Sequence, residues 1–260
     1  MVKLEEMSSG ELRRTVERGS RTVVIPFGSV EYQGGHLPLG SDALLADVVG
    51  ETVAGRLDAV LAPTIRVGYA EQHMSSVGTL SVPADIVRET ASHVADSLIG
   101  HGFRVIALIS THGANRPALE ASVRQLHERH PDVVACAPSG DVGQDPGQHS
   151  GDWLTSVMLA IRPDLVDLAS VDAGLRDDVK TATAATGADR FERFASSIVQ
   201  QVQDAVQRAT EWQLLPSTNQ RPRRREERHP GFRLRAAGQL KQQSEAGSSV
   251  GDKGKCGIWH

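Results

Sequence analysis

The chain has 260 residues, of which 39% are apolar and 23% are charged, and its formal net charge is −4. This composition excludes an extended disordered protein and is sufficient for one sizeable buried core. No run approaches the roughly 18 consecutive apolar residues of a membrane span, and the first residues lack the apolar run of a secretory signal. With only two cysteines, the chain is expected to be a soluble cytoplasmic protein without a disulfide framework.

Apolar patterning predicts helices and strands in alternation. In chain order these are a helix over 8–18, a strand over 22–26, a helix with Asp42 as its N-cap, a strand over 59–63, a helix from Pro83 to about residue 100, a strand over 104–110, a helix from Pro117 to about residue 130, a strand over 133–137, and helices over about 152–161 and 188–212. The continuous apolar run over 104–110 is typical of a parallel strand covered on both faces. The alternation predicts an α/β layered fold with a mostly parallel sheet flanked by helices.

The C-terminal segment differs from the rest in charge and in pattern. Residues 216–260 hold ten Lys and Arg against four Asp and Glu, which leaves 18 basic and 28 acidic side chains for residues 1–215. The segment has no sustained periodicity and is rich in Arg, Gln, Gly and Ser, which is typical of a disordered tail. We therefore predict a folded domain over 1–215 and a disordered basic tail over 216–260.

The charge distribution also bears on partners. An acidic body lacks the positive face that phosphate contacts need, so nucleic acid is not expected as its partner. The lack of a long apolar run likewise predicts no membrane partner. The alternative for the tail is that its RPRRREER segment docks on an acidic partner or on nucleic acid.

Carboxylates and imidazoles follow three of the predicted strands. Glu31, His36 and Asp42 follow the strand over 22–26, the pair His112 and Asn115 follows the strand over 104–110, and His149 follows the strand over 133–137. In parallel α/β sheets ligands bind at the carboxyl ends of the strands. Oxygen and nitrogen donors of these types are ligands for zinc, manganese or iron, so the pattern favours a metal site. The alternative is that they are ordinary polar residues of turns.

Four segments at these loops share a recognisable order of residues. They are GSVEYQGGHLP over 28–38 followed by Asp42, GYAEQH over 68–73 followed by VGTLS over 77–81, STHGAN over 110–115, and HSGDWLTS over 149–156. In this order they resemble the motifs of the creatininase family of metal-dependent amidohydrolases, which read G-S-x-E-Q-H-G-x-H-L-P-x-x-x-D, G-x-S-x-E-H with P-G-T-x-S, N-G-H-G-G-N, and H-A-G-x-x-E-T-S. A weaker match over 178–187 is most similar to the mycofactocin-system peptidases of that family.

The resemblance implies a site for two divalent cations, usually zinc, manganese or iron, in a compact homo-oligomer that is often a hexamer. It implies that Glu31, Asp42 and His112 hold the first cation, and no other cofactor is predicted. The family's ligands of the second cation are a histidine and a glutamate, and these are replaced here by Gln33 and Leu154. We therefore predict about one cation per subunit, unless Asp152 or Glu71 replaces the lost ligands.

The resemblance also implies roles for the remaining polar residues. His149 keeps the imidazole of the fourth motif and is the predicted catalytic acid or base. His36 and His73 are predicted to orient the ligands and their loops, and Asn115 to cap or fix the loop that carries His112. Trp153 is predicted to form an apolar wall of the substrate pocket, with burial in the core as the alternative.

The leading functional hypothesis is a metal-dependent amidohydrolase. Metal-bound hydroxide would attack the carbonyl of a C–N amide bond in a cyclic amide, a formamide or a peptide terminus, and His149 would protonate the leaving nitrogen. The first alternative is a non-catalytic member that binds a metabolite or serves as an oligomer subunit, because Gln33, Leu154 and Ala70 change chemical positions of the motifs. The second alternative is an enzyme with one cation that opens or isomerises a cyclic amide.

Overall fold

The computed structural model describes residues 1–143 and 149–214, with side chains up to residue 209. The predicted tail over 216–260 lies outside the described residues, so the division into a folded domain and a disordered tail stays a prediction. In the described ranges, no helix is long and apolar enough to cross a membrane.

The described chain contains a parallel sheet of five strands. They are β1 (Val2–Lys3), β2 (Thr22–Phe27), β3 (Val60–Leu61), β4 (Val105–Ser110) and β5 (Val134–Cys136), in the spatial order β1-β3-β2-β4-β5. The central strands β2 and β4 pair along their whole length, from Thr22 opposite Val105 to Phe27 opposite Ser110. The loops that leave these two strands therefore start at the same edge, and the predicted parallel sheet is confirmed.

Helices cover both faces of this sheet. They are α1 (Ser9–Glu17), α2 (Ser41–Arg56), α3 (Ala84–Gly100), α4 (Arg116–Arg129), α5 (Asp152–Ile161), α6 (Arg176–Val179) and α7 (Ala184–Leu214). Because side chains alternate along a strand, Val23 and Ile25 pack with α3 and α4 on one face, whereas Val24 packs with α2, α5 and α7 on the other. The predicted α/β layered fold is confirmed, and the sheet is buried on both sides.

Element boundaries differ most from the sequence prediction at two helices and one strand. Helix α2 begins at Ser41 after Gly40, so the prediction that Asp42 is the N-cap is wrong. The carboxylate of Asp42 bonds instead to Ser29 and His112, outside its own helix. Helix α7 begins at Ala184, earlier than predicted, and the strand expected over 59–63 is only Val60–Leu61.

Candidate metal centre and active site

The loop that leaves β2, the first turn of α2 and the loop that leaves β4 bring Glu31, Asp42 and His112 together. All three side chains are buried, and their candidate ligand atoms lie within 4.8 Å of one another. Nδ1 of His112 is 3.1 Å from Oδ2 of Asp42, and Nε2 of His112 is 3.4 Å from Oε2 of Glu31. The three residues predicted to hold the first cation therefore form one compact group.

The environment of Glu31 fits a cation. Its Oε2 atom is buried and has no hydrogen-bond partner in the described structure, since Nε2 of His112 donates instead to the carbonyl oxygen of Tyr69 at 2.8 Å. A buried polar atom left without a partner costs about 1–3 kcal/mol, and more when it is charged. Burial raises the pKa of Glu31, and the charge of Asp42 raises it further, against the opposing effect of His112. A divalent ion would satisfy the free oxygen and offset the charge of both carboxylates.

The imidazole of His112 is set between the two carboxylates and a backbone carbonyl. Burial alone would lower its pKa, but the hydrogen bond to Asp42 and the charges of Asp42 and Glu31 outweigh burial and raise it. Because Nε2 donates to Tyr69, the Nδ1 atom is the one that faces Asp42. A ligating histidine is commonly oriented in this way, by a carbonyl that accepts from its other nitrogen.

Asp42 is held by residues of both loops. Ser29 donates a hydrogen bond from Oγ to Oδ2 of Asp42 at 2.8 Å, and Thr111 donates to the backbone carbonyl of Asp42 at 2.7 Å. The amide of Gln33 also donates to Oδ2 of Asp42 at 3.2 Å and to Oε1 of Glu31 at 3.4 Å. A neutral amide therefore lies between the carboxylates at the position where the family motif has a histidine.

Asn115 is the N-cap residue of α4, but its side chain makes no cap hydrogen bond and instead connects three loops. Its Oδ1 accepts from the backbone N–H of Tyr69 at 2.9 Å, and its Nδ2 donates to the carbonyl of Gly28 at 3.0 Å. A side chain at Gly68 would collide with Asn115, because a Cβ there would lie 2.4 Å from its Oδ1. The side-chain contacts of Asn115 are therefore those expected of a residue that fixes the loop carrying His112.

His36 and His73, the two histidines predicted to orient the ligands, lie in different places. His36 is buried and donates from Nε2 to the hydroxyl of Thr155 at 2.9 Å, outside the group of candidate ligands. His73 lies beside the carboxylate of Glu31, with its Nε2 atom 3.9 Å from Oε1. Its ring stacks on that of His149 with centroids 4.1 Å apart. The sequence placed His73 among the residues that orient the ligands, but it did not predict the stacking on His149, which lies far away in the chain.

His149 lies at the exposed side of the site. Its Nε2 atom donates to the carbonyl of Tyr32 at 2.8 Å and is 3.8 Å from Oε1 of Glu31. The next residue, Ser150, has a positive φ of 61° and donates from Oγ to Oε1 of Gln33 at 3.0 Å. A residue other than glycine is strained at a positive φ. Here the strained Ser150 follows His149 and bonds to the buried side-chain amide of Gln33.

Neither carboxylate proposed as a replacement ligand reaches the site. Asp152 forms an ion pair with Arg190 at 2.5 Å and accepts a hydrogen bond from Thr181 at 3.2 Å. Glu71 is exposed and belongs to no group of candidate ligands in the described residues. Neither residue belongs to the groups of candidate ligands among the described residues, and Leu154 presents an aliphatic side chain to the cavity.

The site opens into a cavity of about 270 Å³ with one polar and one apolar side. The apolar side is formed by Val142, Trp153, Leu154 and Phe194. The rings of Trp153 and Phe194 pack with centroids 5.4 Å apart, and both residues line this cavity. Phe194 comes from α7, and nothing in the periodic pattern of that helix distinguishes it from other core residues. A larger cavity of about 510 Å³ is lined by Ser20, Thr22 and Ala59, among others. It lies at the opposite end of the strands from the candidate metal ligands.

Comparison with known proteins agrees with this geometry. Residues 5–211 match the creatininase family, described as creatinine amidohydrolase. A mycofactocin precursor peptide peptidase of Mycobacterium ulcerans (strain Agy99) is 35% identical over 164 residues, which are 59% of this chain and 63% of that protein. The creatinine amidohydrolase of Pseudomonas putida is 28% identical over 193 residues, which are 64% of this chain and 74% of that protein.

The fold is similar to that of solved family members. A crystal structure of creatinine amidohydrolase (creatininase) has a TM-score of 0.68 and 25% identity, and the match covers 78% of this chain and 97% of that one. This chain spans less than two thirds of the first peptidase named above, at 63% of its length. The family match covers most of the described residues and includes all four motifs. The chain therefore belongs to the creatininase family of hydrolases.

Proposed function

We propose that this chain is a metal-dependent amidohydrolase that hydrolyses a C–N amide bond, with one divalent cation held by Glu31, Asp42 and His112. The observation that carries the proposal is the buried, unpartnered Oε2 atom of Glu31 beside a second buried carboxylate and an imidazole. Two carboxylates and one imidazole suit zinc, manganese or iron. When bound, such a cation polarises a carbonyl oxygen and lowers the pKa of a coordinated water towards roughly 7.

The chain's own residues would orient the reaction. Ser29 and Thr111 hold Asp42, and Tyr69 holds the ring of His112, so the ligand atoms are positioned before a substrate arrives. Gln33 can donate hydrogen bonds but cannot replace the lost imidazole as a strong ligand, which supports one cation at this position rather than the family's two.

His149 is proposed as the proton donor to the leaving nitrogen. An imidazole exchanges protons near neutral pH and suits this role. Its Nε2–H group points to the carbonyl oxygen of Tyr32, close to Oε1 of Glu31, at the rim of the cavity. A substrate nitrogen between Glu31 and Tyr32 would lie within reach of that proton.

The cavity bears on the class of substrate. Its volume of about 270 Å³ suits a small cyclic amide, a formamide or the end of a peptide rather than the middle of a chain. Trp153 and Phe194 would pack against an apolar part of the substrate next to the reacting amide. The related proteins named as a peptidase and as a creatinine amidohydrolase are consistent with either a peptide end or a cyclic amide.

A second candidate is a non-catalytic family member that binds a metabolite. It is favoured by Gln33, whose amide is hydrogen-bonded to both carboxylates, and by Leu154, which cannot bind a cation. Assembly as a homo-oligomer, a cytoplasmic location and the absence of a nucleic-acid partner are further parts of the proposal that follow from the family resemblance and the charge distribution.

The test compares cation content and amide hydrolysis in the full chain. Elemental analysis of gently purified protein should find at least one zinc, manganese or iron per subunit. Creatinine, N-formyl compounds and short peptides serve as the substrate panel. Glu31→Gln and His112→Asn should lose both the cation and activity, whereas Glu120→Gln and His93→Asn, which change exposed residues of the same types, should keep them.

The outcomes separate the two candidates. Cation content and activity that survive in Glu31→Gln or His112→Asn would rule out the proposed site. A cation that binds normally, with no hydrolysis of any substrate in the panel, would favour the non-catalytic member.

A further inference from the structure

The carboxylate of Glu31 faces different imidazoles with its two oxygen atoms. Oε2 is the atom nearest to His112, at 3.4 Å, on the side of Asp42. Oε1 is 3.9 Å from Nε2 of His73 and 3.8 Å from Nε2 of His149, and it also accepts from Nε2 of Gln33 at 3.4 Å. One buried carboxylate therefore lies between two separate groups of nitrogen donors.

The distances around Oε1 suit ligands of a shared ion better than direct hydrogen bonds. Separations of 3.8 and 3.9 Å are too long for a hydrogen bond between nitrogen and oxygen. Two ligands at about 2.1 Å from one tetrahedral ion lie roughly 3.4 Å apart, so small movements would bring all three atoms to an ion. The candidate ligand atoms of Glu31, His73 and His149 lie within 4.8 Å of one another. Two imidazoles and one carboxylate are a ligand set that zinc uses.

The two imidazoles are arranged side by side and remain accessible. Their rings stack with an interplanar angle of 22°, so both Nε2 atoms are presented to the same carboxylate oxygen. The side chain of His73 is 21% exposed and that of His149 is 38% exposed, which leaves a route for an ion from solvent. The carbonyl oxygen of Tyr32, 2.8 Å from Nε2 of His149, is a further oxygen at this position.

The family's own position for a second cation is occupied by other chemistry in this chain. The amide of Gln33 donates to Oδ2 of Asp42 and to Oε1 of Glu31, and Leu154 contributes only aliphatic surface to the cavity. The nitrogen donors that could serve a second ion are instead the imidazoles of His73 and His149, which lie near Oε1 of Glu31.

We propose that Oε1 of Glu31, His73 and His149 form a second divalent-cation site, distinct from the group of Asp42 and His112. An ion there needs the lone pair on Nε2 of His149, so the proton of that ring moves to Nδ1 and the hydrogen bond to Tyr32 is lost. On the proposed function, the same atom delivers the proton to the leaving nitrogen. Occupation of the second site therefore inhibits hydrolysis, and the site couples activity to the concentration of free cation.

The experiment is a titration of the metal-free full chain with Zn²⁺ and with Co²⁺. Equilibrium dialysis with elemental analysis should find a tight first ion and a weaker second ion per subunit. His73→Asn and His149→Asn should each keep the first ion and weaken the second by more than the roughly 10- to 100-fold that loss of an outer partner costs. His93→Asn, which removes an exposed imidazole elsewhere, should bind both ions.

Three results overturn the inference. A single ion in the wild type, unchanged in both histidine variants, removes the second site and leaves the proposed function intact. A second ion that is lost in Gln33→Met but kept in His73→Asn places it on the Asp42 side instead. Binding of no ion at all overturns the second site and the proposed function together.

The inhibitory effect has its own readout. In the wild type, a second equivalent of Zn²⁺ should lower the turnover reached with the first. In His73→Asn the same excess should leave that variant's own rate unchanged. Equal inhibition of both proteins by excess Zn²⁺ would contradict the assigned effect.

Discussion

The side-chain amide of Gln33 donates a hydrogen bond to Asp42, with Nε2 3.2 Å from Oδ2, at the position where the family's first motif carries a histidine. The same amide group reaches Oε1 of Glu31, and its own carbonyl oxygen accepts from Ser150. A neutral amide with complete hydrogen bonding thus connects the carboxylates of Glu31 and Asp42 at the position where the family's motif has a histidine. Gln33 thus replaces a histidine ligand with hydrogen bonds to Glu31 and Asp42. Restoring the histidine tests this relationship.

Gln33→His together with Leu154→Glu should create a cation site on the Asp42 side of Glu31. The two changes restore an imidazole and a carboxylate, which supply the strong ligands that an amide and an aliphatic chain cannot. Made in a His73→Asn background, they should add about one ion per subunit to that variant, measured by elemental analysis. Gln33→Asn with Leu154→Met is the matched control and should add none. If the restored pair also adds none, the geometry of the pocket differs from the family's by more than these two side chains.

The stability of the protein should fall in mild acid because of His36. Burial lowers the pKa of this imidazole, which is only partly offset by the charge of Asp172. Because the folded pKa is lower than the unfolded value near 6.5, the unfolded state takes up the proton first. The stability that this neutral residue contributes is present above about pH 6.5 and is lost as the pH falls towards the folded pKa.

Urea unfolding at a series of pH values from about 7.5 to 5 measures this effect. In His36→Gln the free energy of unfolding should be lower at neutral pH but should fall less steeply with acid than in the wild type. His93→Asn should keep the wild-type slope, because that imidazole is exposed. A slope that does not change in His36→Gln would assign the acid sensitivity to other groups.

Asn115→Ala should destabilise the protein and weaken the cation site together. The change leaves the N–H of Tyr69 and the carbonyl of Gly28 without their partners, at a cost of about 2–4 kcal/mol. Asn115→Asp is the informative control, since it can still accept from Tyr69 but cannot donate to Gly28. Urea unfolding and cation affinity should both rank wild type above Asn115→Asp and Asn115→Asp above Asn115→Ala. A loss of stability without any loss of cation affinity would show that the hydrogen bonds of Asn115 do not position His112.

Trp153→Ala should raise the KM for any substrate with an apolar group beside the amide. The ring packs on Phe194 in the cavity wall, and an aromatic contact of this kind contributes about 0.5–1.5 kcal/mol beyond its buried area. We expect KM to rise by roughly three- to tenfold with a smaller change in kcat, in steady-state kinetics. Trp153→Phe retains an aromatic surface and should lie close to the wild type. Equal effects of both substitutions would argue against packing as the role of Trp153.

The architecture follows largely from local patterns in the sequence. The apolar run of β4 and the alternation of strands with helices predict the parallel sheet, because a strand buried on both faces needs apolar residues at successive positions. The start of α2 is different. Gly40 precedes the helix, and Asp42 lies within its first turn. Its carboxylate bonds to Ser29 and His112 outside the helix, and local sequence rules do not include such contacts.

In the site, too, some features follow from the sequence and others only from tertiary packing. The resemblance of the motifs to the creatininase family implied that Glu31, Asp42 and His112 hold one cation, and the structure brings their candidate ligand atoms within 4.8 Å of one another. The stacking of His73 on His149 and the contribution of Phe194 to the cavity were decided by the tertiary structure alone. These residues come from segments distant in the chain, and their proximity depends on how the helices and loops pack over the sheet. Sequence thus determined the residue types and the edge of the sheet, whereas packing determined which nitrogen faces which carboxylate oxygen.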